Sequence, residues 1–240
     1  MLTAPAHESV LVVSATKLEV EPLIQKATSV YLRPDGIIRL DICSVLCDLL
    51  ITGVGIPSAM YCLASFLAGN KVPFAFHLGI AGSYRDEILN GSVVSIVEEE
   101  FGDIGIDQGL NFSTLFESGL AIPDKPPFKN GKLIHLTSNN ILVPDTVKNL
   151  KGLTINMVTS NYDTIRSRID KFDADVETME NAAYFYVCLK HEIPFLSLRG
   201  ISNKVGESDR SRWLISDAVQ NACNSMIEIL QNNFFHIHEA

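Results

Sequence analysis

The stretch VPFAFHLGIAG, residues 72–82, is a continuous apolar run that ends in a glycine-rich turn. A run without regular polar alternation is typical of a strand that is covered on both faces. His77 lies in the middle of this run, between Phe76 and Leu78. We therefore expect a buried strand here, and we expect His77 to be a hydrogen-bonded core histidine rather than a catalytic group.

Strand-like and helix-like segments alternate on both sides of this stretch. The predicted strands are residues 9–16, 36–42, 45–52, 91–100, 132–138, 153–160 and 194–198. The predicted helices are residues 17–27, 57–70, a short segment after Pro144, residues 176–193 and residues 212–235. Alternation without a linker predicts a single α/β domain over residues 1–240, in which helices flank a central mixed, largely parallel, twisted sheet. We expect residues 1–8 to be flexible and residues 101–132, rich in Gly, Pro, Asn and Ser, to form a long loop or lid.

The composition describes an ordinary soluble protein and restricts its partners. The net charge of −9 argues against a nucleic-acid surface, which needs clustered Lys and Arg. No apolar run reaches the roughly 18 residues of a membrane helix. The N-terminus lacks the pattern of a secretory signal, so we expect a cytoplasmic protein without membrane contact. The five cysteines lie in apolar stretches and predict reduced core thiols rather than a metal site.

In sheets of this kind, ligands bind beyond the carboxyl ends of the strands. This rule selects residues 14–21, 53–58, 79–83 and 201–206, together with the acidic helix start near Met179. The motif GVGIPSA departs from the dinucleotide fingerprint because Ser58 occupies its sixth position, and no ribose-binding acid follows about 20 residues later. We expect a tight turn that lets the backbone approach a ligand, rather than a nicotinamide or flavin site.

Three pairs of charged residues near these strand ends each have two interpretations. The pairs are Glu19 with Glu21, Glu177 with Glu180, and Arg210 with Arg212. The acidic pairs either complement the dipole of a helix start, worth about 0.3–1 kcal/mol, or act in catalysis. The basic pair is either solvated or a clamp for a carboxylate. No single pair decides between the two interpretations.

Five motifs taken in order are more specific than any one of them. They are SATKLEVEPL (residues 14–23), ITGVGIPSA (51–59), HLGIAGS (77–83), ETMENAAYFYVC (177–188) and LRGISNKVG (198–206). Their sequence and spacing resemble the nucleoside phosphorylase/nucleosidase superfamily over residues 10–230, most closely the futalosine hydrolases. The resemblance implies a nucleoside phosphorylase-like fold. It also implies a hydrolase without a cofactor that cleaves futalosine to hypoxanthine and dehypoxanthinyl futalosine in menaquinone biosynthesis.

The resemblance assigns roles to individual residues. Glu19 matches the glutamate that activates the attacking water, and Glu180 matches the carboxylate that accepts hydrogen bonds from the ribose hydroxyls. The other implied substrate contacts are Ile80, Ala81, Gly82, Asn161, Tyr162, Glu177, Thr178, Met179, Ser202 and Asn203. Arg210 or Arg212 is expected to pair with the carboxylate on the benzoate-bearing tail of the substrate. Related proteins assemble as oligomers, so we expect a homodimer or larger homo-oligomer that binds a small purine nucleoside.

Asn203 is a departure from the related methylthioadenosine-type nucleosidases, which have Asp at this position. The amide of Asn203 cannot titrate, but its NH2 group can donate to both N7 and O6 of hypoxanthine. We interpret Asn203 as a residue that selects 6-oxopurines and stabilises negative charge on the departing base. Asn181 is a second departure, because Gly or Ala is common at that position.

Three other functions remain open on the same fold. A phosphorylase would need arginines around a phosphate, whereas the first strand–helix turn contains Lys17 and no Arg. A methylthioadenosine-type nucleosidase would release adenine instead of hypoxanthine. A nucleoside-binding or sensor protein would not need a water-activating base, which Glu19 supplies.

Overall fold

The computed structural model describes residues 9–108, 111–135 and 141–234 of the chain. The strands in these ranges are β1 (Val10–Ser14), β2 (Ser29–Leu32), β3 (Ile38–Ile42), β4 (Val45–Ile51), β5 (Ala75–Ser83), β6 (Val93–Phe101), β7 (Gly105–Gln108), β8 (Asn111–Thr114), β9 (Leu133–Ile134), β10 (Lys148–Thr154), β11 (Val176–Thr178) and β12 (Phe195–Lys204). The helices are α1 (Glu21–Lys26), α2 (Ile56–Gly69), α3 (Tyr162–Phe172), α4 (Asn181–Lys190) and α5 (Ile215–Phe234). Short 3₁₀ helices occupy Lys17–Val20 and Arg210–Arg212.

The apolar run at residues 72–82 forms most of β5, as the sequence predicts. β5 lies between β1 and β12 and pairs in parallel with both. Beyond β1 the sheet continues through β4 in parallel and then through the antiparallel strands β3 and β2. The pairings on both sides of β5 remove it from every sheet edge, and helices cover its two faces.

The α/β class and the mixed sheet are confirmed, but the sheet closes into a barrel where a twisted sheet was predicted. The strands β5, β12, β6, β10 and β11 follow one another, and β11 pairs back onto β5 in antiparallel register. This closing contact joins Val176 to Ser83 and Glu177 to Gly82. Register irregularities in β10 and β12 accompany the bending that closure requires. The prediction missed β11 because three residues are too few to show a strand period, and residues 176–178 looked like the start of the next helix.

Apolar layers cover the sheet on both sides. On one side α5 packs against the sheet with Leu78 and Met226 fully buried. On the other side α2 and α4 pack over Phe185 and Phe195. Because alternate residues of β5 point into each layer, this strand needs apolar side chains at nearly every position. No helix in the described part of the chain is long and apolar enough to cross a membrane.

Two segments differ from the predicted elements. The residues after Pro144 form a turn rather than a helix. The chain also forms α3, which the sequence analysis missed because most of its residues are polar, although Ile165, Ile169 and Phe172 recur at helical spacing. Asn161 begins α3 by accepting a hydrogen bond from the Thr164 N–H at 3.1 Å. The cap has the geometry expected of Asn at a helix start.

Other predicted elements are shifted or extend beyond the described residues. β10 ends at Thr154, so the predicted strand at residues 153–160 only overlaps its last two residues. Of the predicted strand at 132–138, residues 133–134 form β9 and residues 136–138 lie outside the described ranges. α5 begins at Ile215 rather than at residue 212. Its predicted end at residue 235 and the predicted flexible residues 1–8 lie outside the described ranges. Residues 101–132 contain the small sheet of β7 and β8, and their role as a lid stays a prediction.

Candidate active site

A cavity of about 390 Å³ opens at the carboxyl ends of β1, β5 and β12, beside the start of α4. Ten of the residues predicted from the sequence line it: Glu19, Ile80, Ala81, Gly82, Glu177, Thr178, Met179, Glu180, Ser202 and Asn203. Eight further residues complete the wall: Ala15, Thr16, Leu18, Val54, Val158, Val205, Trp213 and Ile215. The ten predicted residues come from four separate parts of the sequence, which meet in one space that can hold a small molecule.

Glu19 is fixed at the cavity wall by four hydrogen-bond donors. Its Oε2 accepts from the Thr16 N–H at 2.9 Å, from the Thr16 hydroxyl at 3.0 Å and from the Ser14 hydroxyl at 3.2 Å. Its Oε1 accepts from the Ile80 N–H at 3.2 Å. Thr16 and Glu19 form a capping box, so the helix-start interpretation of Glu19 is confirmed, and its catalytic role stays a prediction. Oε1 keeps a lone pair for a ligand, since it receives a single hydrogen bond.

Glu180 faces the same cavity from the N-cap position of α4. Its Oε1 accepts a hydrogen bond from the Gly55 N–H at 2.8 Å. Gly55 has a φ of +92°, which favours glycine and lets this N–H point at the carboxylate. Burial raises the pKa of Glu180, and the negative charge of Glu19 adds to the effect, although the Gly55 hydrogen bond and Arg199 oppose it. The motif GVGIPSA thus supplies a backbone donor to a carboxylate rather than a dinucleotide site.

Arg199 lies directly behind the cavity and was not found from the sequence. It is 1% exposed, in the middle of β12, and its charge interacts with those of Glu19, Glu180 and Glu99. A Cβ atom placed on Gly79 would lie 2.5 Å from Arg199 Nη1 and 2.9 Å from Glu19 Oε1. Gly79 therefore leaves room for a cation and a carboxylate to approach the same point. The only sequence signal was an Arg beside an apolar run, and this pattern does not show towards which face of the sheet the Arg side chain points.

A buried polar cluster continues from Arg199 away from the cavity. Asn181 Oδ1 accepts from the Ser197 hydroxyl at 2.7 Å and lies 2.9 Å from His77 Nδ1. Asn181 Nδ2 donates to Glu99 Oε2 at 2.5 Å, and the Thr154 hydroxyl donates to Glu99 Oε1 at 3.0 Å. The prediction that His77 is a hydrogen-bonded core histidine is confirmed, and burial beside Arg199 holds its pKa well below the usual range.

Burial raises the pKa of Glu99 to about 8, against the opposing effects of Asn181, Thr154 and Arg199. A carboxyl whose folded pKa lies above its unfolded pKa binds an extra proton in the native state, so its stabilising effect is lost as pH rises towards 8. We expect wild-type protein to lose about 2 kcal/mol of unfolding free energy from this group between about pH 6.5 and 8. Glu99→Gln should remove this loss, because the amide does not titrate.

Urea denaturation of the wild type and Glu99→Gln across this pH range measures the effect. Comparing the two proteins cancels the pH dependence of the unfolding free energy that comes from His77 and His135. Their pKa values are lowered in the folded state, so their contribution changes with pH only below about pH 6.5, and it does so in both proteins. A difference between the two proteins that stays constant with pH would show that Glu99 is ionised throughout.

Ser202 and Asn203 lie at the far end of β12, on the cavity wall. The Ser202 hydroxyl donates to Asn203 Oδ1 at 2.7 Å, which fixes the orientation of the amide. Asn203 Nδ2 donates to the Lys204 carbonyl at 2.8 Å. Because Nδ2 carries two hydrogens, one remains for a ligand. The sequence interpretation assumed that both hydrogens would be free.

Glu177 lines the cavity, but its carboxylate is occupied by protein donors. The Thr159 N–H donates to Oε1 at 3.0 Å, and the Thr159 hydroxyl donates to Oε2 at 2.5 Å. Tyr84 donates a short hydrogen bond to Oε2, and Arg168 Nη1 lies 3.1 Å from the same oxygen. Glu177 therefore holds the segment after β10 against β11, and Thr159 brings Val158 to the cavity wall.

Four predicted residues do not line the cavity. Asn161 caps α3, and Tyr162 is 71% exposed at its start. The Arg212 guanidinium pairs with Glu207 and Asp209 at the surface. The Arg210 guanidinium lies 5.6 Å from the ring centroid of Trp213, which does line the cavity. The structure thus places Arg210, but not Arg212, against an aromatic residue of the cavity wall.

The apolar part of the wall was largely missed from the sequence. Trp213 and Ile215 come from the segment after β12, and Val158 comes from the segment after β10. A single Trp near two arginines could have indicated the first of these. The described residues contain no group of three His, Cys, Asp or Glu side chains that could hold a metal ion.

The family model and the related proteins that match this chain point to the same family. The family model of the phosphorylase superfamily matches residues 9–232. A futalosine hydrolase of Thermus thermophilus is 27% identical over 179 residues, which cover 75% of this chain and 79% of the relative. A 5'-methylthioadenosine/S-adenosylhomocysteine nucleosidase of Bacillus cereus is 25% identical over 190 residues, which cover 76% of this chain and 80% of the relative.

Solved structures share the fold at lower identity. A 5'-methylthioadenosine/S-adenosylhomocysteine nucleosidase of Colwellia psychrerythraea, in complex with adenine, superposes with a TM-score of 0.77 at 17% identity and covers 95% of this chain and 96% of its own. The futalosine hydrolase of Helicobacter pylori gives 0.73 at 13% identity, with 95% and 100% coverage. At these identities the likeness shows the fold alone.

Proposed function

The chain belongs to the phosphorylase superfamily, and from this premise we propose that it is a nucleosidase that hydrolyses the N-glycosidic bond of a 6-oxopurine nucleoside. Its curated relatives are named as N-glycosyl hydrolases. Futalosine is the proposed substrate, with hypoxanthine and dehypoxanthinyl futalosine as products, which would place the enzyme in menaquinone biosynthesis. Membership of the superfamily alone leaves the substrate and the pathway open.

The charge of the cavity wall carries the proposal. Among the described residues that line it, three are carboxylates (Glu19, Glu177 and Glu180) and none is Lys or Arg. A phosphate nucleophile would meet negative charge here, whereas water would meet the Glu19 carboxylate as a base. Cleavage of an N-glycosidic bond develops positive charge on the sugar, which a carboxylate at Glu180 stabilises. Hydrolysis is therefore favoured over phosphorolysis.

Asn203 supports a 6-oxopurine as the leaving group. Its free Nδ2 hydrogen can donate to an acceptor on the departing base, and Ser202 keeps its oxygen turned away from that role. Hypoxanthine offers acceptors at N7 and O6, and one donor can serve either atom. The amide thus favours a base that accumulates negative charge without needing a proton from the protein.

Arg210 supports a substrate with a carboxylate tail. Arg212 is already paired with two acidic side chains, whereas the described residues give Arg210 no ion pair and place it against Trp213 at the cavity. A guanidinium beside an aromatic ring is suited to an aromatic carboxylate. We therefore assign the proposed tail contact to Arg210 rather than Arg212.

The mouth of the cavity supports the proposed homo-oligomer. Leu18 is 59% exposed, Val54 53% and Val158 51%, although all three line the cavity. Tyr61 and Met157 nearby in sequence are each 75% exposed. Exposed apolar side chains at a ligand site are costly unless something covers them, and a second copy of the chain is the proposed cover.

Chromatography of the free base tests the reaction and the substrate together. The enzyme is incubated with futalosine, inosine and methylthioadenosine, each with and without phosphate. We expect hypoxanthine from futalosine at a rate that phosphate does not change. Release that requires phosphate would show a phosphorylase, and preferred release of adenine from methylthioadenosine would show the function named for the Bacillus cereus relative. No free base from any substrate would favour a binding protein.

A further inference from the structure

We propose that Glu99 and Asn181 are positioning residues, which hold the Arg199 guanidinium behind Glu19 and Glu180 and thereby set the rate of cleavage rather than the affinity for substrate. The inference rests on the proposed nucleosidase function. Neither residue lines the cavity, and both are completely buried. Their effect on the reaction is therefore indirect, and Arg199 is the charged group that connects them to Glu19 and Glu180.

The sequence and the sheet together place Glu99 inside the protein. In the acidic run at 98–100, strand alternation turns Glu98 and Glu100 towards Lys132, which pairs with both. Glu99 points the other way, into the layer beneath α4. Gly152 on the neighbouring strand makes space for it, because a Cβ there would lie 2.1 Å from Glu99 Oε2.

Glu99 determines which way the Asn181 amide faces. Oε2 of Glu99 accepts from Asn181 Nδ2 at 2.5 Å, so Asn181 Oδ1 must point in the opposite direction. That oxygen receives the Ser197 hydroxyl at 2.7 Å and Arg199 Nη2 at 3.1 Å, and it faces His77 Nδ1 at 2.9 Å. A flipped amide would turn its two NH2 hydrogens towards these three groups, of which the Arg199 guanidinium cannot accept. An acceptor at position 99 is therefore needed to keep the oxygen towards Arg199.

Arg199 depends on this arrangement for its own position. Within the described residues its hydrogen bonds run through Nη2 to Asn181 Oδ1 and to Nε2 of His77, since Nδ1 of that ring donates to Asn181, and its buried Nε has no partner. Nη1 extends to the point above Gly79 that Glu19 Oε1 also approaches. The positive charge thus reaches the two cavity carboxylates from a side that the substrate does not touch. If the Asn181 amide turned, the guanidinium would lose its anchor at this point.

Kinetics of buried variants test the proposal. We expect Glu99→Leu and Asn181→Leu to lower kcat about 100-fold, the loss associated with a shift of about 1 Å in a reacting group, while KM changes less than threefold. Glu99→Gln should retain kcat within threefold, because its amide oxygen still accepts from Asn181. Ser95→Ala is the matched control: Ser95 lies on the same strand, is 1% exposed and has a hydroxyl without a partner.

An NMR measurement tests the same geometry without activity. In protein with ¹⁵N-labelled histidine, the ring shifts of His77 report which nitrogen carries the proton. We expect the Nδ1–H form in the wild type, in Glu99→Gln and in Ser95→Ala, and its loss in Glu99→Leu. Should Glu99→Leu not fold, Asn181→Leu replaces it in the kinetics and Glu99→Met, which also lacks a carboxyl oxygen, replaces it in the spectra.

The outcomes separate this inference from the proposed function. If wild-type protein releases base but both Leu variants keep their kcat per folded molecule, Glu99 and Asn181 only stabilise the fold and the inference is wrong. Loss of activity in Glu99→Gln equal to that in Glu99→Leu would also overturn it. If the wild type releases no base, the nucleosidase function fails, and the His77 spectra alone decide whether Glu99 orients Asn181.

Discussion

Replacing Glu19 with Gln is expected to lower kcat for nucleoside hydrolysis by about 10²–10⁴-fold, the range associated with loss of a general base. The carboxylate already receives four protein donors and keeps a lone pair on Oε1 towards the cavity. In Gln the amide nitrogen must face either the Ile80 N–H or the Thr16 donors, so one side loses its acceptor. The proton of the attacking water then has no carboxylate to receive it.

Single-turnover measurement of base release, with enzyme in saturating excess over substrate, separates this loss from weaker binding. Glu21→Gln is the matched control, since Glu21 lies two residues further on and makes only a partly exposed pair with Lys17 at 3.8 Å. Such a pair contributes about 0–1 kcal/mol, so Glu21→Gln should leave kcat unchanged. A Glu19→Gln variant with kcat within threefold of the wild type would mean that another group activates the water.

Replacing Asn203 with Asp is expected to change the preferred base. We expect the ratio of kcat/KM for inosine over adenosine to fall about 100-fold, because a site built for one hydrogen-bonding pattern rejects a base with another. In the variant one carboxyl oxygen faces the Lys204 carbonyl, which accepts from Nδ2 in the wild type. Two facing acceptors favour a protonated Asp whose single hydrogen bonds to the Lys204 carbonyl, so its oxygens offer the base only acceptors, which suit the 6-amino group of adenine and not O6 of hypoxanthine.

Inosine and adenosine share the same sugar, so their ratio isolates the base. Asn149→Asp is the control for the change of charge, because Asn149 is exposed on β10 and lies outside the cavity. Its ratio should equal that of the wild type. If the kcat/KM ratio of inosine over adenosine is unchanged in Asn203→Asp, Asn203 forms part of the cavity wall but does not select the base.

The sequence located much of the cavity because its motifs lie at strand ends. Residues 14–21, 79–83 and 201–206 each include the carboxyl end of a strand, and in the fold these ends meet at one place. The same logic could not find Arg199, whose role depends on Gly79 and Asn181 across two neighbouring elements. It also could not find the pairing of β11 with β5. A three-residue strand carries no readable period, and partner choice is a property of the assembled sheet.

The details of Asn203 show a second limit of the sequence. Residue type alone indicated an amide with two free hydrogens, but one is taken by the carbonyl of the next residue. The number of Asn203 hydrogens that remain free for a ligand depends on where the neighbouring carbonyls lie. The backbone here has a register irregularity between Ile201 and Asn203. Composition and motif order therefore indicated the chemistry of the site but not its hydrogen-bond count.

The short strand β11 also links the order of assembly to activity. Val176–Thr178 closes the barrel, and the chain continues directly into Met179 and Glu180 at the cavity. A molecule in which these three residues have detached loses the position of Glu180, the carboxylate proposed to face the ribose, at the same moment as the closure. A partly folded intermediate with an open barrel would therefore be inactive. Native-state hydrogen exchange at the β11 amides would measure the fraction of molecules in which the barrel is open and the enzyme is therefore inactive.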